Sequence, residues 1–543
     1  MPLLAKEVLP ISSKDILSWC FENRSAFPQD KPIYADCADP RRSISAGQAY
    51  KLVRRLVAGL RAFGIKKGDC VCVHAFNDIY YPVLVQGIVG AGAVFVGTNP
   101  GYTDFELQHA LKVSHAKLII TEDELVGTLL KAGRDVDISP SQVLLFADQD
   151  QSPLRSWRSL LQHGEQDWVS FDDENLSKST TAFLMFSSGT TGLPKAAQVT
   201  HHNLIAQHTI LYDNPRHPEA FEDRRIYPMP AFHIATAGVL HFSPLRAGFA
   251  SFVMRRFELE PWLENTEKFG VTLMVLAPPL VVATLALARQ KPNFVRHCLR
   301  NVKRAVCGAA PLDRTTQLEF QKFLPVDCPC TQGWGMTEAS GVGSFFYYPE
   351  SDETGSVGRW LPNIDTKLVD DHGLEVGPYN ARGELCIRGP TVIKGYLDNP
   401  EANRRDWDSD GFFHTGDVLY GDEKSGRFYV VDRKKELIKV RAFQVAPSEI
   451  EGVLLLHPQI VDAAVIGVPN GNGELPKAFV VLSAGSKVLE EDLKAWVASR
   501  LSKYKHLEGG VQFVDAVPKS PSGKILKRQL RDEEVSRRRE AKL

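Results

Sequence analysis

The chain is 543 residues long, beyond the size at which a single hydrophobic core keeps growing, so two to four domains or subdomains are expected. Its composition, 43% apolar and 24% charged, is that of a globular protein, and 64 basic against 65 acidic residues leave a formal net charge of −1. That balance excludes a general field for nucleic acid or an anionic membrane, so any bound anion must be held by a local site.

The chain opens MPLLAKEVLPISSKD, with no cationic segment leading into an apolar core, so no secretory signal is read. Up to about residue 430, amphipathic patterns such as Ser45–Phe63 and Asp104–Val113 alternate with short apolar, β-branched runs. The runs include Cys70–Val73, Ala93–Val96, Lys117–Thr121, Val143–Phe146, Ala182–Phe186, Ala250–Met254 and Leu273–Leu276. Alternation of this kind predicts an α/β architecture with largely parallel, stacked sheets. Two stretches, 80–98 and 271–288, are apolar enough to raise a bilayer span. Pro82 with several glycines breaks the first and Pro278-Pro279 the second, so each is read as a buried helix beside a buried parallel strand. The nine cysteines contain no C-x-x-C, and the pairs Cys70/Cys72 and Cys328/Cys330 have no nearby histidine, which predicts scattered buried thiols in a reducing compartment.

From Gly383 to Val431 the texture changes to short strands and Gly/Asp turns, predicting a β-rich subdomain over about 345–431. A charged cluster, Asp432-Arg433-Lys434-Lys435-Glu436, then separates residues 1–431 from a small α+β domain over 432–543. A domain boundary is predicted there, with an exposed charged turn inside one continuous domain as the alternative.

Four segments carry candidate chemistry. Ser187-Ser188-Gly189-Thr190-Thr191-Gly192-Leu193-Pro194-Lys195 follows an apolar strand directly. Its glycines allow a tight turn whose N–H groups, with hydroxyls and one ammonium, would cradle phosphate oxygens; the spacing is not that of a Walker loop. Gln332-Gly333-Trp334-Gly335-Met336-Thr337-Glu338 places an aromatic ring between glycines, able to lie on a purine, and a carboxylate four residues on, able to bind a hard cation. Phe413-His414-Thr415-Gly416-Asp417 offers an aspartate suited to a ribose diol, although such residues often only cap turns. Pro518–Leu526 is a Pro/Ser/Gly loop presenting Lys524. Taken alone, each also fits a bland reading as a surface turn, a packed tryptophan or a solvated charge.

In this order, together with NPGYTDFELQHAL, CGAAPL, GELCIRGPTVIKGYLDNPEA and DRKKELIKVRAFQVAPSEIE, the segments resemble the adenylate-forming superfamily. Within it the sequence is most similar to 4-coumarate–CoA ligase-like acyl-CoA ligases. The resemblance runs from about Ser45 to Leu530 and implies an ATP-dependent acid–thiol ligase, with Mg²⁺ and with coenzyme A as co-substrate. It implies that Ser187–Lys195 wraps the β- and γ-phosphates, that Gly308, Ala309 and Ala310 line the adenine, and that Trp334, where relatives have Tyr, covers its face beside Gln332, Gly333 and Gly335. It further implies Glu338 as magnesium ligand, Thr337 near the α-phosphate, Asp417 and Arg433 on the ribose, and Lys524 bridging substrate carboxylate and α-phosphate. His233 matches an aromatic or His position between acyl pocket and thiol channel, and a packed interior histidine is the alternative.

The resemblance also implies that the small domain swings about a hinge near 434–435, exchanging Lys524 for a loop containing Lys439, Arg441 and Gln444 in the thioester-forming half-reaction. Here the chain departs from the usual Lys-Gly-Phe-Gln pattern, reading Arg441-Ala442-Phe443-Gln444, which places the second half-reaction in question. Candidate acyl-pocket residues are Ile234, Ala235, Ala237, Gly238 and Val342, small or aliphatic, favouring an aryl or medium-to-long acyl group over acetate. Loading of a carrier protein in trans, luciferase-like oxygenation and non-enzymatic acyl binding are the competing functions. The terminal Ala541-Lys542-Leu543 is close to the S-K-L address, so a peroxisomal import receptor is an expected partner, with the cytoplasm as the other location.

Overall fold

In the computed structural model, two seven-stranded sheets carry the first part of the chain. The structure describes residues 1–133, 136, 138–151, 153–187, 194–218, 220–440, 443–470, 473–520 and 523–540. In one sheet the strands run in the order Arg155–Ser156, Val143–Leu145, Ala116–Thr121, Cys70–His74, Val94–Gly97, Thr181–Ser187 and Lys195–Thr200. All its neighbours pair in parallel except the last two, which form an antiparallel ribbon on either side of the Ser/Thr/Gly loop. The other sheet orders Cys330–Gln332, Arg304–Cys307, Leu273–Leu276, Arg224–Tyr227, Ala250–Val253, Pro32–Asp36 and Ser43–Ser45, again parallel apart from one edge pair.

These strands form where apolar residues run without interruption, because helices cover both sheet faces and leave no solvated side to alternate with. The helix Ala46–Phe63 shows how sequence sets such an element. Ser45 and Gln48 close a reciprocal capping box at its start, an arrangement in which the cap alone contributes about 1 kcal/mol, and Gly64 ends it in the left-handed region at φ 102°. Its inner face buries Val53, Leu56 and Leu60 in the largest core, which also takes in the helix Tyr81–Gly90. The stretch at 271–288 resolves into strand Leu273–Leu276 and helix Pro278–Gln290. Pro278 and Pro279 begin that helix instead of breaking it, since a proline in the first turn lacks only an N–H that would have had no partner. All nine cysteines are free and buried, as the spacing predicted. Among the described residues no helix is long and apolar enough to cross a membrane.

A three-stranded antiparallel unit (Trp334–Met336, Gly341–Phe345, Arg359–Trp360) follows, then a four-stranded antiparallel sheet spanning 365–433. After the charged cluster come a short hairpin, Ile438–Val440 with Phe443–Val445, and the helix Pro447–Leu455. A sheet of Ile460–Asn470, Gly473–Leu482 and Val511–Phe513 packs around its own core of Ile450, Leu454, Val465, Val480 and Leu493. This mixed α/β arrangement, with a smaller α+β unit at the C-terminal end, matches the fold class read from the sequence.

Candidate active site

A cavity of about 360 Å³ lies where the large parallel-sheet region, the antiparallel sheet and the C-terminal unit meet. Ala309, Ala310, Gly333, Trp334, Gly335, Asp417, Arg433 and Lys524 all line it, so segments more than two hundred residues apart in sequence converge.

One wall is the turn after strand Arg304–Cys307. Ala309 there holds a left-handed φ of 70°, a conformation a non-glycine residue keeps only when its surroundings over-determine it. The surroundings are supplied by Gln332. Its side-chain amide accepts from Leu312 N–H at 3.0 Å and donates to the Leu312 carbonyl and to Gln317 Oε1, both at 2.8 Å. Gln332 is buried and its side-chain amide is committed to these protein partners, which hold the 308–312 turn.

Trp334 stands on the facing strand, its ring packed so closely that a Cβ at Gly343 would come 2.6 Å from it. Its indole Nε1–H donates to Asp417 Oδ2 at 2.8 Å, while Arg433 Nε reaches Asp417 Oδ1 at 3.1 Å. Asp417 and Arg433 are directly opposite each other in the antiparallel ladder, which is why the pair forms. The Asp417 carboxylate pushes the Arg433 guanidinium further into its charged form. A carboxylate gripped on both oxygens has a fixed plane and can still accept from a diol on its remaining lone pairs.

Lys524 arrives on a turn closed by Gly523, which takes φ 81° and sits so close to Pro279 that a Cβ would lie 2.7 Å from that ring. Burial, and then the Arg433 charge, lower the Lys524 pKa from 10.5 to about 8, with Glu436, Asp417 and Glu338 opposing the shift. His233 caps the helix Ile234–His241, its Nδ1 accepting from Ala235 N–H at 3.2 Å. The proton of the neutral ring therefore sits on Nε2. Burial, and then the Lys524 charge, lower its pKa to about 4, so His233 is a neutral donor at physiological pH.

Glu338 is buried in the turn Thr337–Ala339 and accepts two hydroxyls on the same oxygen, Ser187 Oγ at 2.6 Å and Tyr396 Oη at 2.8 Å, both on Oε1. Oε2 receives neither. One oriented carboxylate oxygen suits a hard cation such as Mg²⁺, which takes few protein ligands and completes its shell with water and substrate phosphates. No group of three or more metal-binding side chains occurs among the described residues.

Several expected residues stand elsewhere. Lys195 leaves its ammonium 2.8 Å from Asp406 and over the Tyr396 ring, in a salt bridge away from the cavity lining. Lys439 is exposed on the 438–445 hairpin, outside the cavity, as fits an arrangement that has Lys524 inside. Gln444 lies on the same hairpin. Ser188, Gly189, Thr190, Thr191, Gly192, Arg441, Ala442 and Ala541-Lys542-Leu543 lie outside the described residues. On the acyl side, Ile234 and Ala237 are core residues, whereas Ala235, Gly238 and Val239 form the partly open helix face, with half-buried Val342 on the neighbouring strand. Val239 was missed by sequence reasoning, although spacing of three and four from Ala235 would have found it.

Also missed were Tyr396, Glu436 and Lys527. Lys527 is buried against Glu451 at 3.0 Å and near Glu436 at 3.8 Å, both of which line the cavity. Its position, at the start of the helix Lys527–Glu540 and three residues beyond Lys524, was the available signal.

Comparison with known proteins agrees with this geometry. The AMP-binding enzyme family matches residues 21–397 and the AMP-binding enzyme C-terminal domain matches 449–524. An acyl-CoA ligase, azaF, of Aspergillus niger is 47% identical over 96% of this chain and 98% of its own. A phenylacetyl-CoA ligase, epaB, of the same species is 47% identical over 96% of this chain and 97% of its own. The crystal structure of ATP-bound MatB from Rhodopseudomonas palustris superposes with a TM-score of 0.82 at 25% identity, covering 95% of this chain and 98% of that one. The chain belongs to the AMP-binding enzyme family.

Proposed function

We propose that this ATP-dependent acid–CoA ligase acts on an aryl or arylalkyl carboxylic acid. It joins the acid to AMP with Lys524 in the cavity, then passes the acyl group to coenzyme A once the C-terminal unit has turned about Lys434-Lys435. The observation that carries the first half-reaction is the convergence of Lys524, Arg433, Asp417 and Glu436 on one cavity, with Glu338 and His233 close enough to interact electrostatically with the ammonium. A carboxylate approaching an α-phosphate brings two anions together, and the transition state adds charge on the phosphate oxygens. Lys524 places an ammonium where that charge gathers, and His233 Nε2–H orients the attacking carboxylate. Asp417 holds the ribose diol through a carboxylate already fixed by Trp334 and Arg433. The 308–310 turn and the Trp334 face enclose the adenine. Mg²⁺ bound at Glu338 Oε2 would supply charge neutralisation on the phosphates.

In this reading no side chain acts as a covalent nucleophile. In the second half-reaction the CoA sulfur attacks the acyl carbonyl and AMP leaves. Lys434, paired with Glu384 at 3.0 Å, belongs to the segment about which the unit would turn. The aryl preference rests on the small open face of Ala235, Gly238 and Val239 and on the likeness to a phenylacetyl-CoA ligase. A pyrophosphate-release screen with cinnamic, benzoic, phenylacetic and medium-to-long fatty acids, each with and without CoA, tests it. Aryl acids are expected to lead, with acyl-CoA as product; a fatty-acid preference overturns the substrate reading, and pyrophosphate release without any thioester overturns the second half-reaction.

A further inference from the structure

The stretch 393–397 runs between the Glu338 turn and the strand Lys195–Thr200 and is pinned to both. Ile393 N–H donates to the Glu338 carbonyl at 3.0 Å, Leu397 N–H to the Ala196 carbonyl at 2.9 Å, and Gln198 N–H to the Gly395 carbonyl at 2.9 Å. Tyr396 stands within it, 2% exposed. Its own backbone is held by Asn403, whose side chain accepts from Tyr396 N–H at 2.8 Å and donates to the Tyr396 carbonyl at 3.0 Å. From this fixed base the side chain reaches two charged partners. The hydroxyl donates to Glu338 Oε1 at 2.8 Å, and the ring face carries the Lys195 ammonium 4.0 Å from its centroid, with Asp406 holding that ammonium at 2.8 Å.

Ser187 and Lys195 are directly opposite each other at the end of their antiparallel ribbon, so they are the two stems of the Ser/Thr/Gly loop. Ser187 Oγ donates to the same Glu338 oxygen as Tyr396, at 2.6 Å. One stem therefore meets Glu338 directly and the other meets it through the Tyr396 ring. Packing alone would be served by phenylalanine; the hydroxyl serves Glu338. Partners that fix the orientation of a ligating side chain matter nearly as much to cation affinity as the ligand itself. We propose that Tyr396 is a positioning residue: its hydroxyl sets the plane of the Glu338 carboxylate for the Mg²⁺ that accompanies ATP, and its ring, through Lys195, sets the base of the phosphate-binding loop against that carboxylate. This rests on the reading of Glu338 as the cation ligand and goes beyond it. It also gives Lys195 work at the loop's base, in place of the phosphate contact expected from sequence.

The test is calorimetric titration of the full chain with ATP, in Mg²⁺ and in EDTA, with no acid present so that no turnover occurs. Mg²⁺ is expected to tighten ATP binding in the wild type. Tyr396→Phe keeps the ring under Lys195 and should lose about tenfold or more of the affinity in Mg²⁺, with none lost in EDTA, which also certifies the fold. Tyr396→Leu removes the ring as well and should weaken binding in EDTA too. Wild-type affinity of Tyr396→Phe in Mg²⁺, or equal losses in both media, overturns the role of the hydroxyl. Wild-type affinity of Tyr396→Leu in EDTA overturns the role of the ring. No gain from Mg²⁺ in the wild type itself overturns Glu338 as cation ligand, a result separate from the other three.

Discussion

The two ends of the site are built on opposite principles. At the end proposed for the ribose each oxygen of Asp417 is already engaged, by Trp334 at 2.8 Å and Arg433 at 3.1 Å, and the pair is locked by its ladder register. At the end proposed for the acyl group the helix Ile234–His241 offers Ala235, Gly238 and Val239, a partly open face without charge. The nucleotide is the same in every turnover, so a preorganised polar site costs nothing in versatility. The acid is what distinguishes one ligase from another, and a face of small residues can be redrawn by one substitution.

The sharpest way to break this contrast is Lys524→Ala, which removes charge stabilisation from the step common to all acids. Pyrophosphate release should fall about 100-fold or more, the scale of losing one transition-state donor, and by the same factor for every acid. Acyl transfer to CoA from supplied acyl-AMP should be spared. A loss confined to one class of acid would place Lys524 on the acyl side of the divide.

Asp417→Asn probes the ribose end. It leaves Arg433 without its anionic partner and should raise KM for ATP about tenfold, as expected where a hydrogen bond to a charged group contributes about 1.5–3 kcal/mol. KM for the acid should not move, and calorimetric titration with ATP checks the split. Equal changes in both constants would mean the two ends are not independent.

The pH profile gives a smaller, graded effect. Because the folded-state pKa of Lys524 is lowered to about 8 from 10.5, its ammonium is lost as pH rises through about 8 and adenylation declines with it. Stability moves the other way. Between the two values the unfolded chain holds the extra proton, so this group's contribution to stability rises with pH from about 8 to 10.5. Rate and thermal midpoint, measured from pH 7 to 10, should therefore diverge, and Lys524→Ala should flatten this contribution in both.

Sequence alone yielded much of the fold because its signals are local. Uninterrupted apolar runs such as Leu273–Leu276 match the strand end for end, and Ser45 with Gln48 marks a helix start without any tertiary information. Asp417 and Arg433 were joined only through the resemblance, and the fold sets them opposite each other on adjoining strands of one meander. What could not be read depends on contacts between distant segments. Lys195 is drawn to Asp406 at 2.8 Å across 211 residues, and Gln332 is turned inward by Leu312 and Gln317. The indole of Trp334 was expected only to stack, losing the phenolic donor of its relatives. Its Nε1–H restores a donor by another route, and only the fold shows that Asp417 is there to receive it. Helix faces were half legible: Ala235 and Gly238 were found, but Ile234 and Ala237 turn into the core and Val239 turns out.

The smallest expected effect sharpens the acyl end. Gly238→Ala adds one methyl group where the nearest heavy atom is 4.0 Å away, so the backbone and its neighbours need not give. Within the helix Ile234–His241 the exchange should stabilise the protein by about 0.5–1 kcal/mol, the conformational cost a mid-helix glycine carries relative to alanine. The same methyl group occupies space opposite Ser340, so kcat/KM for ring-substituted acids should drop several-fold, the low end of the ~1–3 kcal/mol that one carbon commands in a pocket. KM for ATP should stay constant. A higher thermal midpoint with a changed acid profile is the signature of a glycine kept for room at a stability cost. An unchanged acid profile would show that this face does not meet substrate.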